Sequence, residues 1–94
     1  MQEPGSHEGG YSKTIHKEED KLTLDQLQKL VGGYIELIDL PESNKQMIIN
    51  EDGKLMGLSI NSTATKIFHE NYPHLQHDTI CGDAIILSGK ARME

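Results

Sequence analysis

The sequence predicts an α+β fold: a small, mostly antiparallel four-stranded sheet with two helices, in the order (β)αβββαβ. Three observations lead there. Residues 24–31 carry helical periodicity between a capping residue and a Gly pair. Residues 34–40, 46–50 and 79–87 form short runs rich in Ile and Leu. An Asp-Gly pair at 52–53 follows one such run, as it does in two-residue hairpin turns.

Taken in order, Tyr11 to Ile15 alternates and predicts a short edge strand. Thr23 and Gln26 have the T-x-x-Q spacing of a capping box, and Leu24, Leu27, Leu30 and Val31 share one helical face. Gly32 and Gly33 stop that helix, one of them taking the left-handed conformation. YIELIDL (34–40) lies between Gly33 and Pro41 and reads as a buried strand; residues 41–45 are a loop. QMIIN (46–50) is expected to turn at Asp52-Gly53 and return as KLMGL (54–58), with Glu51 facing Lys54. Asn61 or Ser62 caps the second helix. Ala64, Ile67, Phe68 and Tyr72 line its apolar face, and Pro73 ends it near Asn71. The last strand, 79–87, contains Gly82-Asp83 as a bulge or bend. Two short helices are expected on one face of the sheet, leaving the other for solvent, a ligand or a second copy.

Length and composition narrow the function classes. The chain has 94 residues, enough for one small domain. Residues 1–20 are poor in apolar groups and read as a flexible tail. Residues 21–88 form the domain, and 89–94 a second tail. Net charge is −6, with no Lys/Arg stripe, which disfavours direct nucleic-acid binding. The one cysteine, Cys81, excludes an internal disulfide. Residues 1–20 lack the apolar core of a secretory leader, and no apolar run has the length of a membrane span. A cytoplasmic protein is expected.

LQKLVGGYIELIDL, MIINEDGKLMGLSINSTAT and DTICGDAIIL together resemble the domain of unknown function 3846 family. The carrying residues are Leu27-Gln28, Val31 to Glu36, Asn50 to Leu58, Asn61 with Ala64, and Gly82 to Ala84. The resemblance covers residues 23–88. In the family an apolar strand precedes the first helix, where this chain has Tyr11 to Ile15, and the second helix is often entered at Pro, where this chain has Ser59. The resemblance implies a small protein of phages, plasmids and gut bacteria, with an accessory role inside a host cell. It implies no activity, cofactor or catalytic residue.

The chemistry-bearing residues divide into two groups. Tyr34 and Glu36 share a strand face with Ile38, and a carboxylate beside an aromatic on an apolar face is a plausible contact for a partner. Met47 and Met56 are expected as diagonal neighbours across the 46–58 hairpin, an adaptable apolar surface. Asn61 joins them as a candidate binding residue, although capping explains it alone. The second group is His69, His74, His77 and Cys81, residue types that ligate zinc. It lacks the paired spacing of a structural site, and a polar His-rich loop with a packed Cys81 is the simpler account. Cys81 would need an adjacent base to act as a nucleophile. Gly32-Gly33 close a helix, whereas a phosphate loop opens one.

The expected function is therefore a non-enzymatic binding module of mobile-element or viral type that acts on a host protein, without a cofactor. An oligomeric sponge for a nucleotide or other small signalling molecule is the alternative, and a homodimer is compatible with either. A metal-dependent enzyme using the His69–Cys81 region ranks third.

Overall fold

The computed structural model describes residues 12–93, so the first eleven residues of the tail expected over 1–20, Tyr11 of the expected edge strand among them, lie outside the described residues. The element order is β1 (Thr14–Lys17), α1 (Leu24–Val31), β2 (Ile35–Leu40), β3 (Lys45–Asn50), α2 (Ser62–Asn71) and β4 (Ala84–Leu87), with single 3-10 turns at Pro73–Leu75 and Gly89–Ala91.

Both helices are fixed by local chemistry. Thr23 Oγ1 accepts from the Gln26 N–H at 3.1 Å and Gln26 Oε1 accepts from the Thr23 N–H at 2.8 Å, completing the expected capping box. Gly32 ends α1 in the left-handed conformation, φ 79°, and its N–H donates to the Gln28 carbonyl. Leu27 and Val31, one turn apart, are buried, whereas Leu24 and Leu30 remain exposed. The apolar stripe is narrower than the sequence implied. α2 starts at an Asn61 cap and ends at Asn71, two residues before Pro73.

The sheet is mixed, in the order β1-β4-β3-β2. β1 runs parallel to β4, while β3 is antiparallel to both β4 and β2. The expected mostly antiparallel sheet holds at the two β3 pairings, and the parallel β1–β4 pairing makes it mixed. α1 carries the chain across the whole sheet, from the β1 edge to the β2 edge.

The helices lie on opposite faces, which corrects the expectation that they share one. Alternation along the central strands shows this. Met47, Ile49, Ala84 and Ile86 pack with Ala64 and Phe68 of α2. Ile48, Ile85 and Leu87 pack with Leu27 and Val31 of α1. Both central strands are covered twice, which is why Met47-Ile48-Ile49 and Ala84 to Leu87 are continuous apolar runs rather than alternating ones. Full burial of Leu27, Ile48 or Ile85 contributes roughly 1.5–3 kcal/mol each.

The expected hairpin at Asp52-Gly53 does not form. Residues 51–57 make a run of turns, and no strand follows at 54–58. β3 already has a neighbour on each side, so a returning strand would have to displace the more apolar β4. The hairpin is instead β2–β3, closed by residues 41–44 with Asn44 at φ 56°. Asn is among the few non-glycine residues that adopt this conformation readily.

The folded body extends beyond residues 21–88 at both ends. Thr14–Lys17 form an edge strand of the sheet, close to the expected Tyr11–Ile15. After β4, Ala91 is buried against the α1 face. The Gln46 side chain holds residue 93 by two bonds: Nε2 donates to the Met93 carbonyl at 2.8 Å, and Oε1 accepts from its N–H at 2.6 Å.

Candidate functional site

A cleft of about 280 Å3 opens on the α2 face beside the outer strand β2. Glu36 and Ile38 reach it from β2 and Ile49 from β3, because even-numbered β2 residues pair with odd-numbered β3 residues on that face. Phe68 of α2 and Ile80 complete an apolar floor. Glu51, Lys54 and Leu55 form one wall, and Asp78, Thr79 and Cys81 the opposite one.

The wall at 51–57 is a compact turn held by its own backbone. Met56 N–H donates to the Asp52 carbonyl at 2.9 Å, and Leu58 N–H to the Gly53 carbonyl at 3.0 Å. Asn50 anchors it to the body. Its Oδ1 accepts from the Asp52 N–H at 2.8 Å, and its Nδ2 donates to the Val31 carbonyl at 3.0 Å. Gly33 makes room for this link, since a Cβ there would stand 2.9 Å from Asn50 Nδ2. Gly53 packs equally tightly: a Cβ would lie 2.5 Å from the Cys81 carbonyl oxygen. The Asp-Gly pair thus provides close backbone approach between the two walls, not a hairpin. Asn50, Gly33 and Gly53 are the positioning residues that sequence reading missed. Asn50 is a polar side chain ending a continuous apolar strand, a sign that a buried bond awaits it.

Electrostatically the rim is acidic. Glu36, Glu51 and Asp78 face one cation, Lys54. Lys54 Nζ approaches Asp78 Oδ1 at 3.9 Å, and both side chains are substantially exposed. Such a pair contributes little to stability. Lys54 does not face Glu51 across a hairpin, as the sequence implied, because that hairpin is absent.

The candidate binding residues separate in space. Glu36 lines the cleft. Tyr34 lies one residue before β2 with its ring exposed and its carbonyl accepting from the Glu51 N–H at 2.8 Å. Met47 is fully buried in the core, while Met56 is exposed on the turn. They are not hairpin neighbours. Asn61 is 1 % exposed and fully engaged. Its Oδ1 accepts from the Ala64 N–H and the Thr14 hydroxyl, and its Nδ2 donates to the Lys13 and Gly82 carbonyls, all within 3.1 Å. It ties β1, α2 and the β4 entry together and offers nothing to a ligand.

The His-rich segment does not converge. His69 Nε2 bonds the Asp78 carbonyl oxygen at 2.7 Å. The His74 ring stands edge-on to Tyr72, and His77 is exposed. Cys81 Sγ sits 3.9 Å from Thr79 Oγ1. Among the described residues, no three His, Cys, Asp or Glu side chains are grouped to hold a metal ion. Also among them, no helix is long and apolar enough to cross a membrane.

Comparison with known proteins found no match among curated proteins and none among solved structures. The chain does match the family described as Domain of unknown function (DUF3846) over residues 3–94, essentially its whole length, and it belongs to that family.

Proposed function

We propose that this protein is a small non-enzymatic binding module that holds a segment of a host protein, acting in the host-cell cytoplasm as an accessory protein of a mobile element. The cleft carries the reading. Small-molecule sites generally enclose roughly 300–1,000 Å3, and this one, at about 280 Å3, suits one or two side chains of a partner better than a whole nucleotide. Its apolar floor of Ile38, Ile49, Phe68 and Ile80 supplies the buried centre of a contact, and its charged rim supplies orientation. Three carboxylates around one lysine repel phosphate groups, which weighs against a nucleotide sponge and against direct nucleic-acid binding. The His69 imidazole is already bonded to backbone, which weighs against the metal-dependent enzyme.

The test is affinity capture from host lysate with wild-type and Leu55→Asp baits. Leu55 lines the cleft and is 88 % exposed, so the variant should fold normally. A specific protein held by the wild type across several salt concentrations, and reduced about tenfold or more by the variant, is expected. Identical captures from the two baits would remove the cleft reading.

A further inference from the structure

β2 is an outer strand of the sheet, and among the described residues no strand pairs with its far side. The Glu51 N–H to Tyr34 carbonyl bond extends the β2–β3 ladder by one pair and fixes its phase. Hydrogen-bonded pairs alternate in an antiparallel ladder. Glu36, Ile38 and Leu40 therefore turn their backbone groups to β3. Ile35, Leu37 and Asp39 turn theirs outward. Of those outward groups, the Asp39 carbonyl is closed by the Tyr72 hydroxyl at 2.7 Å. Among the described residues, the N–H and carbonyl groups of Ile35 and Leu37 and the Asp39 N–H remain as an open ladder, next to the cleft.

Side chains along this edge are ordered. Glu36 and Asp39 are exposed on opposite faces, with Leu37, 40 % exposed, and half-buried Ile38 between them. Residues 30–44 contain three acids and no lysine or arginine. An incoming strand meets, in either direction, an acid, two apolar residues and an acid.

We propose that β2 accepts an extended segment of a protein partner with the pattern basic–apolar–apolar–basic, added to the sheet edge by main-chain hydrogen bonds. This rests on the protein-binding reading and gives it a mode. Lys or Arg opposite Glu36 and Asp39 forms cross-strand pairs on the two faces, and the apolar pair covers Leu37 and Ile38. The same acids oppose β2–β2 pairing of two copies, in which acidic strands would lie side by side. Seating another copy's Thr14–Lys17 strand there is a head-to-tail contact, which builds rings or filaments that native mass spectrometry would reveal.

The probe is a capped decapeptide centred on Lys-Val-Val-Lys, with a Glu-Val-Val-Glu counterpart, added to the full chain and followed by amide hydrogen exchange and native mass spectrometry. The basic peptide should slow exchange at Ile35, Leu37 and Asp39, and the acidic one should not. Leu37→Pro removes an outward N–H while leaving the β3 ladder intact, and should abolish the protection. Glu36→Lys, at an exposed position, should weaken binding by about tenfold or more. No protection at millimolar basic peptide, or equal protection by the acidic peptide, overturns the proposal. So does protection of the three amides in peptide-free protein that self-associates. If the protein captured from lysate is lost by Leu55→Asp yet kept by Leu37→Pro, the edge mode fails and the cleft reading stands. Loss with both supports the two together.

Discussion

The Tyr72 hydroxyl donates to the Asp39 carbonyl at 2.7 Å, joining the end of α2 to the open side of β2. Tyr72 also packs its ring against Phe68, with centroids 5.2 Å apart. Tyr72→Phe keeps the ring and removes the bond. A loss of about 0.5–1.5 kcal/mol in urea unfolding is expected. An unchanged midpoint would mean that water serves the Asp39 carbonyl equally well.

Asn61 carries more than a helix cap. Asn61→Ala removes the acceptor for the Ala64 N–H and leaves the Lys13 and Gly82 carbonyls without their shared donor. Cap loss costs about 1 kcal/mol, and the stranded Gly82 carbonyl about 1–3 kcal/mol, whereas the Lys13 carbonyl keeps the Ala84 N–H at 2.9 Å. The expected total is about 3 kcal/mol by chemical denaturation. Asn61→Asp keeps the cap acceptor but points a carboxylate at two carbonyl oxygens, and should also destabilise. A cost near that of an ordinary cap alone would show that β1 is not held through this residue.

Gly53 and Gly32 should respond to alanine for different reasons. At Gly53 the added Cβ collides with the Cys81 carbonyl oxygen, a backbone atom that moves only with its chain. Overpacking of this kind costs about 1–3 kcal/mol. At Gly32 nothing lies within 4 Å of the new Cβ, but φ 79° is strained for alanine, at about 1–2 kcal/mol. Exchange data should tell them apart: Gly53→Ala loosens the 51–57 turn, whereas Gly32→Ala frays the end of α1.

Met47 and Met56 form a third contrast. Met47→Ala opens a cavity in the α2-side core and is expected to cost about 2–5 kcal/mol. Met56 is 56 % exposed, and its sulfur approaches Asn50 Nδ2 at 3.6 Å. Met56→Ala should change stability by less than about 1 kcal/mol. Similar losses at both positions would contradict their separation.

Where the sequence reading succeeded, a few neighbouring residues decided the outcome. The Thr23–Gln26 box, the Gly32 stop, the Asn61 cap and the end of α2 before Pro73 depend on bonds spanning three or four residues. The family resemblance was legible in the same stretches. That Glu36 and Ile38 share one face of β2 was legible too, since alternation along a strand is local. Tyr34 lies one residue before β2, and its carbonyl continues the ladder to Glu51.

Pairing and layering could not be settled locally. Asp52-Gly53 has the chemistry of a hairpin turn, but whether a hairpin forms depends on what else competes for β3. The winner is Ala84 to Leu87, more than thirty positions away, because four consecutive apolar residues buried on two faces outweigh the Gly-interrupted KLMGL. The doubled covering had a sequence signal, the unbroken apolar runs at 47–49 and 84–87, and only their assignment to two helices required the fold.

The sequence by itself determined where helices start and stop, that 35–40, 46–50 and 84–87 are extended, and that the protein is a small acidic α+β domain of its family. The tertiary structure alone decided that the helices take opposite faces, that β1 joins β4 in parallel, and that β2 is left at an open edge beside an acidic cleft. Local rules act through hydrogen bonds between near neighbours, whereas strand order follows from competition between distant apolar segments for the same two edges.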